Sequence, residues 1–280
     1  MDIKYNISKL KNSKIEELKD SVSVEEPLEM RLKYKKNNKW EINNISITMR
    51  TPGNDEDLIR GFLYNEKIIE NMSEIDAIEH KGDVSGDYNL QNIIEATINK
   101  TNNLDIGKLK RNFVTNSSCG VCGKTSLESI EVIQTKKMDL SYPQIKEEII
   151  LQSPKLLVNE QSEFAKTGGI HASALIDENG KIIATREDVG RHNALDKLIG
   201  YTITNNLLNP KKQFIACSGR LNFELVQKGV MTKIGVMAGV GAPTSLAIDL
   251  AKRFDITLLG FVKESGFNIY CNKNRIKLSS

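Results

Sequence analysis

The chain has 280 residues, enough to bury the core of one large domain or two smaller ones. Its 39 Lys and Arg against 36 Asp and Glu give a net charge of only +3, too mild an excess to mark a nucleic-acid binder and compatible with an anionic small molecule or an acidic partner. Without an apolar leader pattern at the start, without an apolar run of about 18 residues, and with four cysteines, too few for a disulfide scaffold, the expectation is a soluble cytoplasmic protein with no membrane contact.

Residues 1–27 are polar and rich in Lys, Glu, Ser and Asn, which predicts a flexible N-terminal arm or at most a loosely attached strand. Residues 28–112 read as a small α+β unit. Leu28, Met30, Leu32 and Tyr34 alternate with charged residues, the Asn37-Asn38 turn follows, and Trp40, Ile42, Ile45 and Ile47 form a returning, bulged strand. Thr51-Pro52-Gly53-Asn54 breaks that strand. Asp55, Glu56 and Asp57 then supply the acidic first turn of a helix, and strands are expected over 75–80 and 90–98.

Residues 113–126 hold Asn116-Ser117-Ser118-Cys119-Gly120-Val121-Cys122-Gly123-Lys124, read as a mobile loop. Two cysteines three residues apart bring both sulfurs to one point, the glycines leave the backbone free, and Lys124 favours the thiolate, the reactive form of cysteine. The pair is open to several uses: two inert thiols, half of a zinc site completed by scattered residues such as His171 or His192, a dithiol that exchanges disulfides, or a carrier of sulfane sulfur. A zinc deaminase signature is excluded. His171 is followed by Ala172-Ser173 with no Glu, the cysteine pair precedes the histidine, and Ser118 stands where that signature has proline.

Residues 127–280 read as an α/β unit. Two short helices are expected over 144–164, interrupted at Ser153-Pro154, followed by a hairpin around Glu178-Asn179-Gly180. Helices over 192–205, 221–231 and 244–253 then alternate with apolar strands over 214–217, 234–240 and 257–262, which implies a parallel or mixed sheet covered on both faces. Ligands of such sheets bind at the carboxyl ends of the strands, where loops carry Gly190-Arg191-His192, Ser218-Gly219-Arg220 and Gly241-Ala242-Pro243. Arg191 and Arg220 offer forked donors and the helix starts offer free N–H groups, so a phosphate-bearing ligand leads. The duller readings are an Asp188–Arg191 surface ion pair, glycines that only serve turns, a hydrogen-bonded core His171, and an inert Cys217. His192, beside Arg191 at a helix start, is the better histidine candidate.

Ser118-Cys119-Gly120-Val121-Cys122-Gly123-Lys124, Thr167-Gly168-Gly169-Ile170-His171, Arg186-Glu187-Asp188-Val189-Gly190-Arg191-His192-Asn193-Ala194-Leu195-Asp196-Lys197, Ala242-Pro243-Thr244-Ser245-Leu246-Ala247 and Gly260-Phe261-Val262-Lys263 occur in this order, after Thr51-Pro52-Gly53-Asn54-Asp55-Glu56-Asp57-Leu58. With these blocks the chain resembles the FdhD family of formate dehydrogenase accessory sulfurtransferases over roughly residues 28–272. The resemblance implies a cytoplasmic, dimeric sulfur carrier that takes sulfur from a cysteine desulfurase as a persulfide. It would pass the sulfur to the molybdenum cofactor, in its bis-guanine-dinucleotide form, before insertion into formate dehydrogenase. That cofactor is cargo, and no resident metal is implied. The resemblance puts the persulfide on Cys119 with Cys122 as its partner, and the cofactor segment on Phe261, Val262, Lys263, Glu264, Ser265 and Gly266. It also implies a three-layer αβα C-terminal unit resembling the cytidine deaminase-like fold. Together with Arg191, His192, Arg220 and Gly241 from the strand-end loops, these residues form the candidate site. The chain departs from the family pattern at Glu264 and Gly266, which leave Lys263 as the sole cation of its segment, and at Asn222, where a small hydroxyl residue is common.

Overall fold

Alternation of Leu28, Met30, Leu32 and Tyr34 puts four apolar side chains on one face of β3 (Glu26–Lys36), and all four are buried. The computed structural model describes residues 1–84, 88–99 and 138–278. The expected Cys119–Cys122 loop lies outside the described residues.

The first segment differs from its expectation. It forms a hairpin of β1 (Asp2–Lys11) and β2 (Lys14–Ser23), with Asn12 and Ser13 at φ +49° and +60° in the turn. Its period-two pattern pairs Ile3 with Val22 and Ile7 with Leu18, a signal hidden under the lysines and glutamates between them. The hairpin is tied down by Ser23 Oγ to Thr167 Oγ1 at 2.7 Å and by the terminal amine to Glu163 at 2.6 Å.

β3 pairs antiparallel with β4 (Lys39–Arg50) around Asn37 and Asn38, both at positive φ as a two-residue hairpin turn requires. The bulge expected in β4 falls at Ile45, which is skipped where Met30 faces Ser46 and Arg31 faces Asn44. With β5 (Ile75–Lys81) and β6 (Ile93–Ile98) the sheet has the order β4-β3-β6-β5. Helix α1 (Asp55–Asn65) closes its inner face with Leu58, Ile59 and Leu63 against Ile94, Ala96 and Ile98.

In the second unit the two-residue strand β7 (Ile145–Lys146) leads into α2 (Glu147–Glu160) and α3 (Ser162–Thr167). The expected break at Ser153-Pro154 is absent. Pro154 lacks the N–H that would reach the Ile150 carbonyl, and the buried Ser153 hydroxyl donates to that carbonyl instead, at 2.7 Å. The strands β8 (His171–Asp177), β9 (Ile182–Asp188), β10 (Gln213–Cys217), β11 (Val236–Gly239), β12 (Thr257–Lys263) and β13 (Gly266–Cys271) form one mixed sheet in the order β13-β12-β11-β10-β8-β9, with β10, β11 and β12 parallel. β13 was not foreseen, because its residues are half or fully exposed on a sheet edge and show no apolar alternation. A last short strand, β14 (Ile276–Lys277), pairs with β7.

Helices α4 (Arg191–Thr204), α5 (Phe223–Thr232) and α6 (Ser245–Arg253) pack on one face through Leu195, Leu198, Val226, Val230 and Leu250. On the other face α2 packs Ile150 and Leu157 against Ala174, Phe214 and Leu259. The result is the expected α/β architecture with helices on both faces of the C-terminal sheet.

The two units meet where α1 crosses α4. Gly61 and Gly200 face each other's helix so closely that a Cβ on Gly61 would lie 1.9 Å from the Asp196 carbonyl oxygen, and one on Gly200 would lie 2.0 Å from that of Asp57. Only hydrogen fits there. Around the crossing, Asp188 and Lys197 form a fully buried ion pair at 2.6 Å. Asp188 also accepts from the Thr51 and Gly190 backbone N–H groups and from Asn193 Nδ2, and Lys197 donates to the Thr51 carbonyl. Burial pushes the Asp188 carboxyl up, while Lys197 pulls it back. All four contacts are donors, so the pocket holds the carboxylate form.

Candidate functional site

The parallel strands β10, β11 and β12 end at one edge of the sheet, and backbone hydrogen bonds lace their loops together. Val240 N–H reaches the Cys217 carbonyl at 3.1 Å, Gly241 N–H reaches Gly219 at 3.2 Å, and Phe261 N–H reaches Gly241 at 3.2 Å. β8 runs the opposite way, so its first residue, His171, sits at the same edge, paired with the last residue of β9, Asp188. Helix α4 begins directly after β9, with Gly190 as an N-cap that offers no side-chain cap. Helices α5 and α6 also begin at this edge. Asn222 Oδ1 accepts from Leu225 N–H at 3.1 Å and the Thr244 hydroxyl from Ala247 N–H at 3.4 Å. Three helix N-termini, with their partial positive charge, thus converge on one rim.

Small residues make the rim possible. A Cβ on Gly241 would fall 2.8 Å from the Arg220 nitrogen, and one on Gly219 would fall 3.2 Å from His171 Nδ1 and 3.7 Å from Arg191 Cδ. Arg220 is exposed and Arg191 half-buried. The structure therefore gathers Arg191, Arg220, Gly241 and Phe261 at one edge. Phe261 is 45% exposed and held at φ +52°, a conformation a phenylalanine rarely adopts and one that strained ligand-contacting residues share. Its neighbour Val262 turns into the core, 1% exposed, away from any ligand. Lys263, Glu264 and Ser265 continue as an exposed turn into Gly266, at φ +156°.

His192 does not face this rim freely. Its Nε2 lies 2.9 Å from the Asn222 amide nitrogen and 3.5 Å from Glu224 Oε2. Burial, then the charges of Lys228 and Arg191, push its pKa down to about 4. It is a neutral strut between α4 and α5. Two residues that the sequence reading named but left out of the candidate site, His171 and Ser218, also stand at the rim. His171 is half-buried with Nδ1 3.4 Å from Ser218 Oγ, and Ser218 Oγ also accepts from Ala172 N–H at 2.9 Å. Burial and then Arg191 lower the His171 pKa, against a smaller pull from Asp188. The only sequence signal for this pairing was a Ser-Gly step after an apolar strand.

Nor does Asp188 pair with Arg191, since its partner is Lys197. The rest of the long motif also turns inward. Arg186 bonds Asp57 at 3.0 Å and stacks on Tyr201, Glu187 accepts from the first N–H groups of α3, and Asp196 pairs with Lys228 at 2.9 Å. Cys217 is buried, its thiol pushed up to about 11 by burial. Cys271 is half-buried and also raised, chiefly by burial. Neither thiol is disposed to act as a thiolate at neutral pH. Among the described residues no three His, Cys, Asp or Glu side chains are grouped to hold a metal ion, and no helix is long and apolar enough to cross a membrane. Two clefts, of about 580 and 280 Å³, flank the 51–54 loop; neither is lined by Arg191, Arg220, Gly241 or Phe261, and their mixed charges single out no ligand.

The family model described as FdhD/NarQ matches residues 23–277. The chain belongs to the FdhD/NarQ family. It is 41% identical over 257 residues to the sulfur carrier protein FdhD of Picrophilus torridus and 37% identical over 257 residues to that of Sulfurisphaera tokodaii, with 92% of each chain covered in both comparisons. A solved structure described as a candidate formate dehydrogenase accessory protein, from Desulfotalea psychrophila, superimposes with a TM-score of 0.73 over 99% of each chain at 21% identity. The last comparison shows that the FdhD/NarQ chain shares that fold.

Proposed function

We propose that this FdhD/NarQ protein is a sulfur carrier for formate dehydrogenase, with Cys119 as the sulfur-bearing residue. The observation that carries this reading is the distribution of its four thiols. Cys119-Gly120-Val121-Cys122 is the one close pair, with Lys124 beside it, while Cys217 and Cys271 are withdrawn from reaction by burial. The names of the relatives support the same role.

In the proposed single-turnover transfer the Cys119 thiolate attacks the terminal sulfur of a cysteine desulfurase persulfide. The donor S–S bond breaks, the donor leaves as a thiolate, and Cys119 becomes the persulfide with no net oxidation. The Cys122 thiolate then attacks Cys119 Sγ. A disulfide forms, and the outer sulfur leaves with both bonding electrons as sulfide, the form a molybdenum centre accepts. Meanwhile the rim would hold the guanine-nucleotide phosphates of the molybdenum cofactor through Arg191, Arg220, Lys263 and backbone N–H groups. Phe261 offers an exposed ring for stacking.

The test is intact-protein mass spectrometry after incubation with a cysteine desulfurase and cysteine. The expected result is a gain of about 32 Da, one sulfur atom, reversed by dithiothreitol and absent in Cys119→Ala. Cys119→Ala is also expected to abolish formate dehydrogenase activation while the chain still binds GDP. Full activation by Cys119→Ser would overturn persulfide carriage and leave a cofactor-binding chaperone.

A further inference from the structure

The family motif places two histidines near the rim, and the geometry gives them different duties. His192 follows Arg191 directly, but successive residues on a helix point about 100° apart, so the two side chains diverge. Its Nε2 is taken by the Asn222 amide and it lies mostly buried between α4 and α5, beside Glu224 and the buried Lys228. A ligand at the strand ends meets at most its edge.

His171 is far away in sequence and close in space. It opens β8, stands opposite Asp188 across the β8–β9 ladder, and lies over Gly219, whose missing side chain leaves room for the ring. Arg191 Cδ comes against the same glycine, so the guanidinium and the imidazole flank one point of backbone between β10 and α5. Ser218 fixes the ring through Nδ1, and among the described residues no hydrogen bond engages Nε2. A half-buried imidazole anchored at one nitrogen and unengaged at the other, beside an arginine and three helix N-termini, is placed to meet an anionic ligand.

We propose that His171, and not His192, is the ligand-contacting histidine of the rim, using Nε2 on the phosphate end of a nucleoside diphosphate, with Ser218 as its positioning residue. This rests on the reading of the rim as a guanine-nucleotide site and assigns it a residue. With Nδ1 accepting the Ser218 proton, Nε2 carries the ring proton and donates to a phosphate oxygen. Arg191 supplies the charge and His171 the direction. Nearby charge comes from Arg191 on α4 and Asp188 on β9, and the lowered pKa keeps the imidazole a neutral donor near pH 7.

The experiment is calorimetric titration of the full chain with GDP at pH 7.5, with melting temperatures recorded in parallel. His171→Ala is expected to weaken binding about tenfold, the worth of one hydrogen bond to a charged group, with the fold intact. His171→Gln, whose amide nitrogen reaches a similar place, should recover part of the loss and guards against misfolding of the alanine variant. Ser218→Ala should raise Kd about threefold, an effect that vanishes in the His171→Ala background as a positioning role requires. His80→Gln, on the other unit, is the control. A Kd within twofold of the unaltered chain in both His171 variants overturns this inference alone, as does a loss confined to His192→Gln. Failure of the unaltered chain to bind GDP overturns the nucleotide reading of the rim and this assignment with it.

Discussion

The Arg186–Lys197 segment and the Gly260–Gly266 segment are both recognisable family blocks, yet they do opposite things. In the first, Arg186, Glu187, Asp188, Asn193, Asp196 and Lys197 all turn inward, onto Asp57, the start of α3, Thr51, Met49, Lys228 and one another. In the second, Phe261, Lys263, Glu264 and Ser265 are exposed. The length and polarity of a motif therefore do not indicate a ligand. A run of charged residues joins two units as readily as it binds a phosphate, and only burial separates the cases.

That contrast can be broken by substitution. Asp188→Ala leaves the Lys197 ammonium buried and unpaired, so urea unfolding should show a loss of about 3–5 kcal/mol and a chain that struggles to fold. A loss below about 1 kcal/mol would mean that the junction is more hydrated than its geometry implies.

A smaller effect should appear with pH, through His192. The unfolded chain takes up its proton near pH 6.5 and the folded chain only near pH 4, so between those values the unfolded state binds more protons. Stability should fall as pH drops through this window, by up to about 3 kcal/mol, and His192→Gln should flatten that part of the profile. An unchanged profile in the variant would show that His192 is not the buried neutral strut described.

The smallest stability effects belong to the rim. Arg220→Ala and Lys263→Ala should each shift unfolding by no more than about 0.5 kcal/mol, yet weaken GDP binding about three- to tenfold in a salt-sensitive way. Destabilisation comparable to that of Asp188→Ala would erase the distinction between the two segments.

Helices α4, α5 and α6 were legible in the sequence because their apolar period is local and their caps, Gly190, Asn222 and Thr244, stand one residue ahead. The hairpin of β1 and β2 was missed, because charged residues mask its alternation and its anchors on α3 lie 144 and 162 residues away. Pro154 predicted a break that one serine hydroxyl repairs, a compensation no propensity scale contains. The site was legible in part. Arg191, Arg220 and Gly241 do meet at one edge, since strand ends and helix starts are local features. Which histidine faces that edge depends on the register of β8 against β10 and on the rotation of α4, and neither is written in adjacency along the chain.

The glycine crossing has a mechanical consequence. α4 spans 14 residues, about 21 Å, and carries Arg191 at one tip and Gly200 roughly 13 Å further along its axis. Pinned against α1 at Gly200 and Gly61, and held near its tip by Asn193 on the Met49 carbonyl, it ties an arginine of the rim rigidly to the N-terminal unit. A displacement of α1 would be carried along α4 to that tip, and a pull on the tip would be felt in the β4-β3-β6-β5 sheet that α1 covers. A force on the N-terminal sheet would thus reach the rim through a single helix, with no contact at the rim itself.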